Sequence, residues 1–310
     1  MARATARAGI VRVAGVTISH PERPVWPDEG ITKADLARYY ESVGRWLLPH
    51  VADRPLSLIR CPGGTAKQCF FQRHMGRERP AGVKTFVWER SAKRRHYLYV
   101  GTLPAVVQLV QRGVVELHTW GSVVPRPGRP DRITIDLDPD PALPWTTVAE
   151  AARLVRSLAQ EIGLKGFVKT TGGKGLHVVM PIARRSGWDE VKALARSLAE
   201  TLALAMPDRF TASMAKRERA GRVFVDYLRN GEAATAIAAF SARARPGAPV
   251  SMPVAWSELA EDVRGRRFNV RSVPALLAAR RTDPWADYDR SARPVTKAML
   301  RKLDVARQRD

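Results

Sequence analysis

Apolar residues along this chain recur every three to four positions in some stretches and every second position in others, and the switches between the two spacings divide it into helices and strands. Leu36, Tyr40, Val43 and Leu47 form one helical stripe. Thr32, followed three residues later by Asp35, reads as a capping box, so the pattern predicts a helix over residues 33–48 with Pro49 as its stop. Ahead of it, residues 11–18 read as a short strand and residues 20–30 as turns. Residues 56–60 and 85–88 read as strands, and 103–111 as a helix closed by Gly113. The middle of the chain then runs strand 132–137, helix 146–162, strands 167–170 and 176–180 joined by a glycine-rich turn, helix 189–205 and strand 223–228. That order is a split βαβ arrangement of the ferredoxin or RNA-recognition type. Residues 246–253 form a proline-rich loop, the chain is polar and basic from about residue 283, and no internal repeat is visible.

Composition narrows the class. With 310 residues, 45% hydrophobic and 26% charged, the chain has a soluble globular profile, long enough to bury a sizeable core as one large domain or two fused lobes. No apolar run is long enough to cross a bilayer, and the basic residues 1–15 lack the apolar stretch of a secretory signal, which fits a tail or linker from a longer protein. Cys61 and Cys69, with seven residues between them, lack the CxxC spacing of a zinc site. As two packed or surface thiols they point to a reducing compartment, the cytoplasm. Charge changes the picture most. Lys plus Arg number 52 against 30 Asp plus Glu, a net charge of +22 with a pI near 11. Such an excess attracts polyanions, nucleic acid first and an anionic membrane surface second. A GC-rich genome accounts for Arg in place of Lys, but not for the deficit of acids.

Three acids carry the candidate chemistry. In the strand Arg132 to Pro139, Ile133, Ile135 and Leu137 point to one face while Asp136 and Asp138 point to the other, with Cβ atoms about 6–7 Å apart. Two carboxylates so placed suit a pair of divalent ions about 3.5–4 Å apart, as polymerases use. Asp226 sits inside the apolar run Val223 to Leu228, where it carries a desolvation cost unless paired or metal-bound, and the split βαβ order lays that strand beside Asp136. Read singly, Asp136 and Asp138 equally make an exposed acidic strand end, and Asp226 an ion pair with an arginine. Thr171-Gly172-Gly173-Lys174-Gly175-Leu176-His177 bares backbone N–H groups that can cradle phosphate oxygens, with Lys174 adding charge and Thr171 a hydroxyl. It is not a Walker A loop, because Lys169 and Gly175 fill the places that motif reserves for Gly and for Ser or Thr. Arg243 and Arg245 suit a triphosphate or a backbone phosphate, and Phe70-Phe71 beside Arg73 suits stacking on bases. His118, alone on its strand, reads as readily as a satisfied core residue.

In order along the chain, Gly30-Ile31-Thr32-Lys33, Phe70-Phe71-Gln72, Glu116 to Ser122, Ile135 to Pro139, Thr171 to His177, Asp226 to Asn230 and Arg243 to Gly247 resemble the polymerase domain of bacterial DNA ligase D, a branch of the archaeo-eukaryotic primase superfamily. The resemblance covers about residues 10 to 290. It implies an α+β primase-polymerase fold, with an RRM-like split βαβ catalytic module and a second α/β lobe. The domain division it suggests is a tail or linker at 1–10, a two-lobed catalytic domain at 11–290 and a basic tail at 291–310. It also implies a bacterial, nucleoid-associated nucleotidyltransferase that adds ribo- or deoxyribonucleotides to 3′ ends and fills gaps during non-homologous end joining. Carried over by residue, Asp136, Asp138 and Asp226 hold two ions, Mn2+ or Mg2+. His118, Thr171, Lys174, His177, Arg229 and Arg243 contact the incoming NTP or dNTP, and Phe70 and Phe71 stack on base or template. Arg23 and Lys33 bind the 5′-phosphate beyond a gap. The family's Ser is Thr at 171, keeping the hydroxyl, and its Lys is Arg at 23. DNA ends, a ligase domain and a Ku-like protein are the implied partners, and neither ligase motifs nor a nuclease domain occur in this sequence. Two other classes are consistent with the residues taken singly: a metal-dependent nuclease on the same acids, and a non-catalytic nucleic-acid-binding module. The Gly-Lys-Gly loop argues against both, since neither needs a nucleotide pocket.

Overall fold

A computed structural model describes residues 10–307 apart from 75, 77, 78, 91, 92 and 264–266. The expected tail at 1–10 therefore lies outside the described residues, save for the exposed Ile10. The split βαβ order is realised as predicted. Strand Arg132–Pro139, helix Trp145–Glu161, strands Phe167–Thr170 and Leu176–Pro181, helix Trp188–Ala205 and strand Val223–Asp226 follow one another. In space the strands lie in the order Phe210–Thr211, Val223–Asp226, Arg132–Pro139, Leu176–Pro181, Phe167–Thr170, Pro253–Val254. The four central ones are antiparallel to one another, and Phe210–Thr211 runs parallel to Val223–Asp226. Both long helices pack on the face where Ile133, Ile135 and Leu137 are fully buried. The opposite face, carrying Asp136 and Asp138, is left for the site.

A second sheet, in the order Ala236–Ile237, Val114–Thr119, Leu56–Arg60, Lys93–Tyr99, Lys84–Arg90, builds the other lobe, and Phe70–Gln72 pairs with Leu56–Arg60. Helices Lys33–Ser42 and Leu103–Gln111 pack against one another in this lobe. The two lobes share one continuous apolar core.

Several sequence expectations change. The single strand at 11–18 is a hairpin, Val11–Val13 with Val16–Ile18, because Ala14 and Gly15 both take positive φ and form a two-residue turn. The helix expected over 33–48 is two, Lys33–Ser42 and Gly44–Val51, and Pro49 lies inside the second. A Cβ at Gly44 would stand 2.8 Å from the Leu103 side chain, so the break lets two helices approach closely. The apolar stripe continues across it, with Leu36, Tyr40, Val43 and Leu47 all buried. Strand 223–228 ends at Asp226, and Leu228–Asn230 forms a 3-10 turn. The stretch 291–310 is not simply a tail, since helix Lys297–Arg307 packs on Trp188–Ala205 and buries Met299 and Leu303. Nor are Cys61 and Cys69 free thiols. Arg60 pairs with Phe70, so the next residues along the two strands meet with Cα atoms 4.4 Å apart and form a disulfide. The inference of a reducing compartment from free thiols falls with that finding. Among the described residues, no helix is long and apolar enough to cross a membrane.

Candidate active site

Antiparallel register sets the site. Asp136 is paired with Asp226 on one side and with His177 on the other, and His177 is paired with Lys169. Directly opposed residues point to the same face, so the four side chains form a row across four strands. Asp138, two residues along from Asp136, shares that face. Asp136, Asp138 and Asp226 line one cavity of about 550 Å³ with His118, Thr171, Lys174, His177, Arg229 and Arg243. The structure thus brings together nine of the thirteen residues expected at the site. Arg245, Arg219 and Met214 line it as well.

The acids are held by cations. Arg229 lies 3.1 Å from Asp136 and 3.4 Å from Asp226, and Lys174 lies 3.2 Å from Asp138. The His177 ring is 3.4 Å from Asp136. Burial opposes the charge on Asp136, yet the His177 ring and Arg229 hold its carboxyl well below the usual carboxylate range. Burial pushes Asp226 the other way, upward, with Arg229 and the Leu228 N–H offsetting this only in part and Asp136 adding to it. Burial and the neighbouring Lys169 lower His177 to about 4, so its ring is neutral near pH 7. Lys169, itself buried, donates to the Ser251 hydroxyl at 2.6 Å, and burial lowers its pKa strongly.

The Asp226 strand stops where it does because Asn230 takes over its ladder. The Asn230 amide accepts from the Thr134 N–H at 2.7 Å and donates to the Thr134 carbonyl at 2.8 Å. Its N–H also reaches the Tyr227 carbonyl, and this bracing carries Arg229 to its place over the acids.

Two glycines fix the loop. Gly172 takes φ +67°, and a Cβ there would meet the Arg243 side chain at 2.6 Å. At Gly175 a Cβ would run into the Leu137 carbonyl, so only glycine lets the loop fold onto the Asp138 strand. The Thr171 hydroxyl donates to the Gly175 carbonyl at 3.1 Å, and Arg243 donates to the Thr171 carbonyl.

Four expected residues stand apart from this cavity. Phe70 and Phe71 are 44% and 42% exposed, under Arg60 and Arg73 respectively, and Phe71 meets the His118 ring edge-on at 5.9 Å. Arg23 and Lys33 line a separate small cavity beside Cys61 and Pro62. Burial and Arg23 lower the Lys33 amine to about 8, and it donates to the Ser19 carbonyl at 2.8 Å.

Sequence reasoning gave Glu116, Lys169 and Asn230 no role in the site. For Glu116 the signal was present, an acid inside the apolar strand Val114–Thr119, the same feature that exposed Asp226.

Three carboxylates on one face are an all-oxygen donor set, which suits a hard divalent cation. Among the described residues, no three His, Cys, Asp or Glu side chains already stand together as a metal-holding cluster, and Arg229 and Lys174 engage the acids. Those two side chains are 42% and 43% exposed, free to swing aside, so the residues fit such ions once the internal cations are displaced.

The family model described as LigD, primase-polymerase domain, matches residues 32–285. The multifunctional non-homologous end joining protein LigD of Pseudomonas aeruginosa is 42% identical over 302 residues, 97% of this chain and 36% of that protein. Its namesake from Mycolicibacterium smegmatis is 33% identical over 264 residues, 84% of this chain and 35% of that protein. This chain therefore spans about a third of the length of the curated relatives it matches. The solved polymerase domain of Mycobacterium tuberculosis ligase D, in complex with DNA, matches with a TM-score of 0.83 at 30% identity, covering 89% of this chain and 99% of that one.

Proposed function

Since this chain belongs to the LigD primase-polymerase family, whose α+β fold and nucleotidyltransferase class it shares, we propose that it adds ribo- or deoxyribonucleotides to DNA 3′ ends and fills gaps during end-joining repair. The observation that carries this reading is the placement of Asp136 directly opposite Asp226, with Asp138 beside them, in a cavity whose other charged lining is cationic. Such a cavity suits a polyanion brought in with divalent ions, and a nucleoside triphosphate is both substrate and polyanion.

Asp136, Asp138 and Asp226 are the residues to hold two ions, Mg2+ or Mn2+, which when bound lower the pKa of a primer 3′-hydroxyl and offset charge on the leaving pyrophosphate. In the transfer, the 3′-oxygen forms a bond to the α-phosphorus as the bond to pyrophosphate breaks. Lys174, His177, Arg229 and Arg243 offset or orient negative charge on the triphosphate, and the Thr171 hydroxyl and the bared N–H groups around Lys174 cradle its oxygens. Phe70 and Phe71 are both exposed, Phe71 beside His118, and stack on the base or template. Arg23 and Lys33, adjacent in their own cavity, hold the 5′-phosphate across a gap.

The partners proposed are DNA ends and gaps, nucleoside triphosphates and, outside this chain, a ligase domain and a Ku-like protein. The greater length and end-joining names of the relatives support the last two. Work on DNA ends sets it at the bacterial nucleoid, in the cytoplasm.

Extension of a labelled primer on a 5′-phosphorylated gap, with manganese or magnesium and each nucleotide type, tests the reading. Asp136→Ala should abolish extension while DNA binding persists. Extension near the wild-type rate would sink the metal assignment, and shortening of the primer by the wild type would identify a nuclease instead.

A further inference from the structure

Glu116 is 5% exposed in the strand Val114–Thr119, and none of the chemistry above uses it. A buried carboxylate beside a cavity meant for a polyanion repels that ligand, so its presence calls for a compensating role. Its hydrogen bonds supply one. Oε2 takes the His118 Nε2–H at 2.8 Å and the Arg243 Nε–H at 2.9 Å, while Oε1 accepts from the Ala244 backbone N–H at 2.8 Å. Arg243 in turn donates to the Thr171 carbonyl, at the start of the glycine-rich loop. One carboxylate thus gathers a strand of the second lobe, the 243–244 segment and, through Arg243, the loop of the catalytic module. Burial works against the Glu116 charge, but the His118 N–H and the Arg243 guanidinium hold its carboxyl at about 2, so it is ionised under any working condition.

Both cavity-lining side chains that Glu116 holds are themselves largely buried, His118 at 16% and Arg243 at 13% exposed. Each is long or rotatable enough to lose its aim without a fixed partner. A carboxylate that orients a histidine also selects which ring nitrogen carries the proton. Here Nε2 is committed to Glu116, which leaves Nδ1 as the ring atom free for another partner.

We propose that Glu116 is a positioning residue for the incoming triphosphate, locking His118 and Arg243 into one preorganised unit and setting the tautomer of His118. The inference rests on the nucleotide-transfer reading above. It assigns Glu116 no contact with substrate. Its effect passes through the two side chains it holds, and it belongs to nucleotide binding rather than to DNA binding.

Equilibrium binding of a non-hydrolysable ribonucleoside triphosphate in manganese to the full chain tests this, with wild type, Glu116→Gln, Arg243→Lys and the double variant. Glutamine keeps the shape but turns an N–H toward a donor it should accept from. Glu116→Gln should weaken nucleotide binding by roughly tenfold or more, the scale of one charge-assisted hydrogen bond, while gapped-DNA binding stays unchanged. The double variant should lose less than the product of the single losses. Nitrogen-15 NMR of the histidines should show Nε2–H on His118 in the wild type and its loss in Glu116→Gln. If that variant does not fold, Glu116→Asp, which keeps the charge but shortens the reach, should show the same two losses in weaker form. Wild-type nucleotide affinity in the folded variant, or losses that multiply, would overturn the proposal. A wild type that binds gapped DNA but no nucleotide would overturn the nucleotide-transfer reading and the inference with it.

Discussion

Replacing Arg229 with Gln should destabilise the metal-free protein and make its stability respond to manganese more than the wild type's does. Asp136 and Asp226 face each other across adjacent strands, and the Arg229 guanidinium, 3.1 and 3.4 Å away, is the cation they share. The carboxylate side chains are 14% and 9% exposed, whereas Arg229 is 42% exposed. Removing one partner of a buried pair costs about 3–5 kcal/mol, and a surface pair is worth about 0–1 kcal/mol. The exposure of Arg229 discounts the first figure heavily, which leaves about 1–2 kcal/mol for this contact. For a chain of this size that is a fall in Tm of about 1.5–3 °C. The same substitution removes the cation that competes with a divalent ion for the two acids, so the ion should bind more tightly, and by linkage a fixed manganese concentration should stabilise the variant more. Thermal unfolding followed by circular dichroism, first in EDTA and then across a manganese series, reads both effects. A variant as stable as wild type in EDTA would show that Arg229 is not offsetting the carboxylates. Equal manganese-induced gains in both proteins would show that it does not stand where the ion binds.

Three further outcomes follow from the geometry. Gly175→Ala should cost about 1–3 kcal/mol and most of the extension activity, because the new Cβ meets the fixed Leu137 carbonyl and displaces Lys174 from Asp138; wild-type Tm and extension in that variant would refute the close approach. Glu116, held at about 2 against an ordinary 4.5, has a depressed folded-state pKa, so its contribution to stability is full above pH 4.5 and is lost as the pH falls from 4.5 toward 2. Glu116→Gln should therefore flatten the acid limb of the Tm–pH curve in that window, and an unchanged slope would count against its ionised role. Lys33→Ala should remove the preference for gaps bearing a 5′-phosphate while sparing extension on 5′-hydroxyl gaps, and an equal loss on both substrates would rule out that role for the Arg23–Lys33 cavity.

The catalytic module was legible in the sequence because its elements announce themselves locally. Alternation in Arg132–Pro139 put Ile133, Ile135 and Leu137 on the buried face, and the order of strands and helices sufficed to set Asp226 beside Asp136. What escaped depends on contacts between distant segments. The break at Gly44 answers to Leu103, and the disulfide answers to the register of Leu56–Arg60 with Phe70–Gln72, which residue spacing alone does not reveal. Met299 and Leu303 lie four residues apart, the spacing of a buried helical edge, but four Lys and Arg residues between 297 and 307 masked it. In the site, cationic and acidic residues could be named from the sequence, while their pairing could not. Arg229 over two acids follows from where the Val223–Asp226 strand ends, and Glu116 under His118 and Arg243 from a contact with a segment 127 residues away.

The row Asp226, Asp136, His177, Lys169 shows how register becomes electrostatics. A slip of one residue between Arg132–Pro139 and either neighbour would send the displaced strand's members to the helix-packed face. With the register as it is, Lys169 lies at the closed end of the row, buried, and the paired carboxylates lie at the other. Asp136, in contact with the His177 ring, is held toward the charged form against its burial, whereas Asp226 is pushed by burial toward the neutral one. Two carboxylates directly opposed would otherwise share one environment and repel equally. The asymmetry comes from the strand order, since Leu176–Pro181 borders Arg132–Pro139 and not Val223–Asp226. Asp138 is set apart from the row, 43% exposed at the open side and paired with Lys174 of the glycine-rich loop. The three acids thus differ in burial and in the cation each engages, Lys174 for Asp138 and Arg229 for Asp136 and Asp226 together, while the His177 ring also stands on Asp136 and the Leu228 N–H on Asp226.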